Sequence, residues 1–419
     1  MLMTEPADCD VLILGASFAG IELYHRLRRT RAGRALAITV VDRQSEHGYI
    51  PLCQERLTLR LPLPSSALPT AWCVQQDPRA RYLVDEVVSF DPEIREVALA
   101  SGTRLRARFV VVALGSLLAP PPGMPGQQHL LGYKFAHEFV AAQRQLWARL
   151  ERPGAPHVVV IGGGISGVEL AGELAHLSRK APPGQGLKVT LVDGGDGLLR
   201  GLTPRAGRMA ARQLKRQGVR LRLRTRVLEV RTELLHVHTA DGEPDELSHD
   251  GTFWAGGVRA APVLARLGLP TTLRGYLAVG PTLQCGPHAQ VFACGDAARV
   301  VDETGEWPTM QRAIECIWEA GVVARNILTL ASADADQPLR RLKLRRDFPH
   351  GVSIGAASMI VYGWLALELG FFGVWFRRFL MRMYFRRYGA PGGSGPTRQP
   401  SHPASNPARG DGPASDRRA

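Results

Sequence analysis

The chain has 419 residues, of which 45% are hydrophobic, which is enough for two or three domains with separate cores. None of its six cysteines forms a CxxC pair, which excludes a zinc ribbon and a CxxC redox motif. The first ten residues contain no apolar stretch, so we expect no signal peptide and a cytoplasmic protein.

The net charge of +14 belongs mainly to the C-terminal end. Residues 340–419 hold 14 Lys/Arg and 4 Asp/Glu, while the remaining 339 residues hold 38 and 34. A basic end on a nearly balanced body favours an anionic surface as partner, and we expect a membrane rather than nucleic acid.

The first unit alternates apolar strands with helix-like stretches. DVLILG predicts a buried parallel strand, a helix follows it, and ALAITVVD is a second strand that ends at Asp42. RFVVVALGS predicts another buried strand, and the Pro/Gly-rich segment from residue 120 predicts a linker.

A second unit begins at HVVVIGGG and continues to LKVTLVD, which ends at Asp193. The two units align without gaps at an offset of 147 residues, so that Glu22 matches Glu169. This alignment predicts an internal duplication of a βαβ unit. YLAVGPTLQ and AQVFACGDAA then predict short strands, and residues 308–328 predict a helix.

Each unit carries a glycine turn between its strand and its helix. The second turn has Gly162, Gly164 and Gly167, whereas the first has Gly15 and Gly20 with Ser17 in the middle position. Such a turn lets backbone N–H groups approach a diphosphate at a helix N-terminus. Asp42 lies 22 residues after Gly20, and Asp193 lies 26 residues after Gly167. Both spacings are close to the value of about 20 at which a carboxylate meets the ribose.

Two dinucleotide sites on one chain indicate electron transfer between two cofactors. The motifs resemble those of the two-dinucleotide-binding flavoproteins, and most closely the type II (non-proton-pumping) NADH:quinone dehydrogenases, over about residues 8–388. The resemblance implies an α/β fold with two Rossmann-like domains. It implies that hydride passes from NADH to FAD and that two electrons pass on to a membrane quinone. An acid at Asp193 repels a 2′-phosphate, which favours NADH over NADPH.

The resemblance also implies the domain order and the cofactor contacts. The expected boundaries are 8–120 and 285–338 for the FAD domain, 121–284 for an inserted NADH domain, 339–388 for a membrane-associated segment and 389–419 for a disordered tail. The motifs that carry these contacts are HGYIP, VVVALGS, FWAGGVRAAP and VFACGDAA. The expected FAD contacts are Gly15, Ala16, Ser17, Phe18, Ala19, Gly20, Asp42, Arg43, His47, Pro51, Val87, Ala113, Gly115, Gly295 and Asp296. The expected NADH contacts are Gly162, Gly164, Ile165, Ser166, Gly167, Asp193 and Gly257.

Three acids are candidate catalytic residues. The resemblance puts Glu169 near the nicotinamide, although an acid in the first turn of a helix is stabilising in any case. Glu315 and Glu319 stand where the family often has two glutamines that floor the quinone pocket. They indicate a proton donor to the quinone, a different electron acceptor, or two acids on a solvated helix face. Sulfide:quinone oxidoreductases use paired cysteines, and this chain has none between Cys73 and Cys285.

The segment from residue 352 to 388 indicates attachment to a membrane. Residues 352–376 contain one charge, and FFGVWFRRFLMRMYFRRY follows from residue 371. In a helix, Arg378, Arg382 and Arg386 would form one basic stripe, and the apolar face would hold Trp375, Phe379, Leu380, Met383 and Tyr384. We expect an amphipathic helix that attaches peripherally to the cytoplasmic side. The alternatives are a helix that spans the membrane over 352–376 and an oligomer contact, and a homodimer is a further expectation.

Overall fold

The computed structural model describes residues 7–150, 154–180, 186–309, 311–332, 337–343 and 348–389. The α-helices in this part of the chain are α1 (Phe18–Arg28), α2 (Arg31–Ala35), α3 (Cys53–Leu57), α4 (Thr70–Gln75), α5 (Ala136–Leu150), α6 (Ile165–Lys180), α7 (Pro204–Arg216), α8 (Ala313–Ala331) and α9 (Gly370–Arg387). Of the expected disordered tail, 389–419, all residues after Gly389 lie outside the described residues.

The strands follow one another in short segments. They are β1 (Cys9–Leu14), β2 (Ile38–Asp42), β3 (His47–Gly48), β4 (Ala67–Leu68), β5 (Ala80–Val84), β6 (Val87–Asp91), β7 (Glu96–Leu99), β8 (Arg104–Val112), β9 (Ser116–Leu118), β10 (His157–Ile161), β11 (Lys188–Val192), β12 (Arg220–Arg222), β13 (Arg226–Val230), β14 (Leu234–His238), β15 (Pro244–Ser248), β16 (Gly251–Trp254), β17 (Val258–Ala260), β18 (Leu277–Val279), β19 (Gln284–Cys285), β20 (His288–Ala293), β21 (Ala298–Asp302), β22 (Gly305–Glu306), β23 (His350–Ile354), β24 (Ala357–Tyr362) and β25 (Leu365–Glu368).

The first sheet has the order β19-β20-β8-β1-β2-β5. Strand β1 pairs in parallel with both β2 and β8, and its residues from Val11 to Leu14 are fully buried. Such a continuous aliphatic run is what a strand covered on both faces requires. Strands β19 and β20 come from far along the chain, so the chain returns to this sheet after forming the second one.

The second sheet has the order β12-β11-β10-β16, and all its pairs are parallel. Strand β10 leads through a glycine turn into α6, as β1 leads into α1. The carboxyl ends of the two central strands therefore each meet a helix N-terminus, which is where open α/β sheets bind ligands.

Residues 350–368 form a three-stranded antiparallel sheet, β23-β24-β25. The alternative of a spanning helix over 352–376 is therefore wrong. The apolar residues in this run alternate, with Val352, Ile354, Met359 and Val361 buried in the same core as the second sheet. The predicted helix in the following stretch is present as α9. In the described part of the chain, no helix combines the length and hydropathy needed to cross a bilayer.

Candidate active site

The two glycine turns have the same geometry. Gly15 has φ +101°, and a Cβ there would lie 2.3 Å from the carbonyl oxygen of Ala113. Gly162 has φ +117°, and a Cβ there would lie 2.5 Å from the carbonyl oxygen of Ala255. In each turn the strand next to β1 or β10 passes too close for any side chain, so glycine is required for both shape and space.

The last glycine of each turn is equally constrained. A Cβ at Gly20 would lie 1.8 Å from the oxygen of Gly15, and a Cβ at Gly167 would lie 1.8 Å from the oxygen of Gly162. These glycines let the helix begin directly against the strand end. The duplication read from the sequence is thus repeated in the steric details of the fold.

The middle position of the turn tolerates a side chain. A Cβ at Gly164 meets no atom within 4 Å, so nothing in the fold forbids serine at the equivalent position, Ser17. The Ser17 hydroxyl lies 3.1 Å from Nδ1 of His47. Serine therefore keeps the shape of the first turn and links it to the His47 loop.

The acid at the end of the second strand of each unit accepts a hydrogen bond from the glycine turn of the same unit. Asp42 accepts a hydrogen bond from the backbone N–H of Ala16 at 2.6 Å, and Asp193 accepts one from that of Gly163 at 2.6 Å. Burial raises the pKa of Asp42. Arg200 lies 3.4 Å from Asp193 and offsets part of its charge. The acids are therefore placed against the turn at the sheet edge where the ribose is expected.

A cavity of about 510 Å³ opens beside the first turn. It contains four of the expected FAD contacts, together with two cations, Lys134 and Arg56, that were not predicted. Its lining is Ala16, Ser17, Asp42, Gln44, Glu46, His47, Gly48, Ile50, Arg56, Lys134, Phe135 and Ala136. Neither cation belongs to a recognised motif, and so the sequence offered no local signal for them.

Other expected FAD contacts lie outside this lining. Arg43 is exposed and lies 3.9 Å from Glu86, and Val87 is 4% exposed within the first core. The carbonyl of Pro51 accepts a hydrogen bond from Arg377. Phe18 packs edge-on against His47, with their ring centroids 4.5 Å apart.

His47 is held neutral by its surroundings. Burial, together with the charge of Arg56, lowers the pKa of His47 to about 3. Its Nε2 is buried and has no hydrogen-bond partner in the described part of the protein. An orphaned polar atom beside a nucleotide loop fits a bound FAD, whose polar groups would satisfy it.

Asp296 lies in the short 3-10 helix Gly295–Ala297 that follows β20, in the motif expected to hold the ribityl chain. It accepts a hydrogen bond from the Ser116 hydroxyl at 2.8 Å, and Lys134 donates to the Ser116 carbonyl at 2.6 Å. Burial raises the pKa of Asp296, and the charge of Lys134 opposes that rise. Asp296 thus joins the end of the first sheet, through Ser116, to the cavity side chain Lys134.

The motif that contains Gly257 lies at the carboxyl end of a strand of the second sheet. Gly257 has φ +131°, and its carbonyl accepts a hydrogen bond from the Trp254 indole at 3.0 Å. Gly164 and Ser166 are exposed at the start of α6, while Ile165 is half-buried. The helix start is therefore open to a ligand, as a nucleotide site requires.

Glu169 is buried in the first turns of α6 and is fully partnered. It accepts hydrogen bonds from Arg377 at 2.5 Å, from the backbone of Ser353 at 2.9 Å and from Gln54 at 3.3 Å. Burial raises the pKa of Glu169, and the charge of Arg377 opposes that rise. Its role beside the nicotinamide stays a prediction, but its carboxylate is fixed in place by three distant elements, α3, β23 and α9.

Glu315 and Glu319 differ from each other in their surroundings. Burial acts to raise the pKa of Glu315, but hydrogen bonds from Arg312 outweigh it and lower the pKa. Glu319 accepts a hydrogen bond from the backbone N–H of Gly295 at 2.6 Å, and burial raises its pKa to about 8. Both side chains are half-buried and line a pocket of about 490 Å³ with Trp307, so they do not lie on a freely solvated helix face.

Helix α9 directs arginines inward. Arg377, Arg378 and Arg387 each lie 2.5 Å from a buried carboxylate, and these carboxylates belong to Glu169, Glu55 and Glu22 respectively. The expected basic stripe is therefore wrong for Arg378, because this residue pairs with Glu55 instead of facing outward. Arg382 and Arg386 are exposed as expected.

The outer face of α9 is apolar. Phe371, Phe372, Trp375 and Phe376 are 71%, 64%, 58% and 49% exposed, and Trp364 in the β24–β25 turn is 79% exposed. Of the apolar residues expected on this face, Phe379, Leu380 and Met383 are exposed, whereas Tyr384 packs against Phe18 and Tyr49. An exposed aromatic surface of this kind marks an interaction site.

The paired glycine turns, their two acids and the two parallel sheets define the chain as a two-domain dinucleotide-binding oxidoreductase fold. The sequence profile of the family described as pyridine nucleotide-disulphide oxidoreductase matches residues 9–320, and the chain belongs to this family. The family resemblance inferred from the sequence is thereby confirmed.

Known proteins that are similar to the chain carry consistent names. A type II NADH:quinone oxidoreductase of Staphylococcus aureus is 23% identical over 344 residues, which cover 78% of this chain and 84% of the relative. The enzyme of that name from Haemophilus influenzae is 32% identical over 224 residues, which cover 51% and 48%.

Solved structures share the fold. NDH2 of Plasmodium falciparum in complex with NADH superposes with a TM-score of 0.78 at 14% identity, over 91% of this chain and 96% of that one. The sulfide:quinone oxidoreductase of Aquifex aeolicus superposes with a TM-score of 0.77 at 16% identity, over 90% and 91%.

Proposed function

We propose that the chain is an FAD enzyme that oxidises NADH and reduces a membrane quinone without pumping protons. The observation that carries this proposal is the presence of two sterically equivalent nucleotide turns, each with its own acid, on one chain. The names of the relatives from Staphylococcus aureus and Haemophilus influenzae support the choice of NADH and quinone.

When bound, FAD would accept hydride and release two electrons, while the protein supplies positioning and electrostatics. The first turn and Asp42 would hold the diphosphate and ribose of FAD, and Asp296 would hold its ribityl chain. The turn at Gly162 and the acid Asp193 would hold NADH. His47 stays neutral at physiological pH, so it adds no charge beside the cofactor.

Anaerobic titration with NADH tests the first half of the proposal. Purified protein should contain flavin absorbance, which NADH should bleach and a quinone in lipid should restore. Protein that never bleaches with NADH would refute the proposal. Titration with NADPH at matched concentrations tests whether Asp193, with Arg200 beside it, still excludes the 2′-phosphate.

We further propose that the aromatic face of α9 and Trp364 attaches the protein peripherally to the cytoplasmic surface of the membrane. Inward arginines hold the helix to the body, so its aromatic side chains remain available to the lipid boundary, with Arg382 and Arg386 near anionic headgroups. This position gives a lipid-soluble quinone access from the bilayer. A homodimer stays a separate prediction, which sedimentation in detergent can test.

Vesicle flotation tests the membrane face. Replacing Trp364, Phe371 and Trp375 with serine should abolish binding to vesicles that contain anionic lipid. The matched control is Leu273→Ser, because Leu273 is fully exposed elsewhere on the surface. Equal flotation of the triple variant and the control would exclude this face as the attachment site.

A second candidate function keeps the flavoprotein but replaces quinone with a soluble acceptor. The observation that favours it is the charged lining of the pocket at α8, which contains Glu315, Glu319, Arg299 and Lys343. A panel of quinones separates the two functions. NADH oxidation that no quinone raises above the oxygen background would favour the soluble acceptor.

A further inference from the structure

Arg56 in α3 is a buried cation without a carboxylate partner. It is 1% exposed, and no carboxylate of the described residues lies within 4 Å of its guanidinium. Its Nε donates to the Ser66 hydroxyl at 2.9 Å, and its guanidinium lies over the ring of Phe139 at 5.1 Å. A buried charge without an ion-pair partner is destabilising, because the ion has lost its hydration.

Nearby arginines show how the same core treats other buried charges. Arg60 lies 2.8 Å from Glu173, and Arg377 lies 2.5 Å from Glu169. Arg56 is in the same region yet lacks such a partner. The difference points to a partner that comes from outside the chain.

The guanidinium of Arg56 borders the cavity beside the first glycine turn. A Cβ at Gly48 would lie 1.9 Å from Nη1 of Arg56, so glycine at this position makes room for the group. Of the two acids in the lining, Asp42 is bound to the turn and Glu46 is exposed. The cavity lining therefore includes the positive charges of Arg56 and Lys134, and the charge of Glu46 acts on Arg56 without forming an ion pair within 4 Å.

We propose that Arg56 binds an anionic oxygen of FAD, a contact that rests on the proposed function. A guanidinium presents two parallel N–H groups to such an oxygen pair, and charge-assisted bonds of this kind are the stronger ones. Two parts of FAD offer oxygens to a guanidinium: the diphosphate, which is anionic and belongs at Ser17 on the same cavity wall, and the pyrimidine edge of the flavin ring, which becomes anionic on reduction.

Reconstitution of the flavin-free protein tests the contact. Arg56→Met should weaken FAD binding by about 10- to 100-fold, as expected for the loss of a hydrogen bond to a charged group. The matched control is Ser66→Ala, which removes the hydrogen bond to Nε but leaves the charge, and it should bind FAD within about threefold of wild type.

Riboflavin distinguishes the two parts of FAD, because it has the ring but no phosphate. If Arg56 contacts the diphosphate, Arg56→Met should bind riboflavin like wild type and keep its flavin midpoint potential. If Arg56 contacts the ring, riboflavin binding should weaken too and the midpoint potential should fall, because a cation beside the ring favours its reduced, more negative form.

Gly48→Ala provides a second test that keeps the arginine, in case Arg56→Met does not fold. The added Cβ must displace the guanidinium, so FAD binding should weaken. Wild-type affinity for FAD and an unchanged potential in either folded variant would overturn the proposal. Wild-type protein that fails to bind FAD at all would instead refute the proposed function.

Discussion

Two arginines of helix α9 form ion pairs with glutamates at equivalent positions of the two duplicated units. Glu22 in α1 and Glu169 in α6 lie 147 residues apart and correspond in the duplication. Arg387 pairs with the first and Arg377 with the second, each at 2.5 Å. We predict that Arg377→Met destabilises the protein far more than its position near the C-terminus suggests.

The size of the effect follows from burial. Glu169 is 5% exposed, and Arg377 supplies the only positive charge among its hydrogen-bond partners in the described residues. Removing one partner of a buried ion pair costs about 3–5 kcal/mol, because the other charge is left without compensation. At Arg382, which is exposed on the same helix, the same substitution should cost less than about 0.5 kcal/mol.

Thermal unfolding of four proteins measures this prediction: wild type, Arg377→Met, Glu169→Gln and the double variant. The double variant should regain much of the stability that Arg377→Met loses, since neither charge remains buried. Arg382→Met is the matched control. An Arg377→Met melting temperature equal to that of Arg382→Met would show that the buried pair does not stabilise the fold as we argue.

Three further predictions concern the turns and Glu319. Gly167→Ala should weaken NADH binding about 10-fold or more, since its Cβ would lie 1.8 Å from a carbonyl oxygen. Gly164→Ala is the control and should bind NADH nearly as wild type does, and fluorescence titration compares the two variants. Ser17→Gly loses the contact with His47 but should keep FAD bound, and loss of flavin on purification would contradict this. The pKa of Glu319 is raised from 4.5 to about 8, so native protein holds a proton that unfolded protein releases between these values. The free energy of unfolding should therefore fall as pH rises through this window, and it should fall less in Glu319→Gln. Denaturant unfolding at about pH 5 and about pH 8.5 measures this change, and an equal fall in wild type and variant would count against the prediction.

The features that the sequence predicted well are local. The turns at Gly15 and Gly162 are contiguous segments with one strand, one turn and one helix, and so their spacing alone carries the geometry. Hydropathy averaged over a window allows a spanning helix over 352–376, because the average hides the alternation of Val352 and Ile354. Gly355 has φ +64° and lies at the turn between β23 and β24, a signal that could have indicated strands.

The side-chain partners of the site could not be predicted because they depend on the packing of distant segments. Glu55 and Arg378 are separated by 323 residues, and no periodicity links them. Arg56 lies in a short helix with no motif, and its environment emerges only when Gly48 and Phe139 pack around it. Pairwise charges of this kind are properties of the tertiary structure.

Helix α9 departs in part from the pattern of a helix on a water-soluble surface, where charges face outward and apolar groups face the core. Here, Arg377 and Arg387 bind acids of the two nucleotide units, while Phe371 and Trp375 face outward. A detachable anchor would not need ion pairs to both units, because releasing it would leave Glu169 without its arginine and would take from Glu22 one of its two arginines, the other being Arg26. The pairs instead make α9 an integral part of the fold. A membrane that bound this outer face, as proposed, would thereby be held at a fixed orientation to both glycine turns.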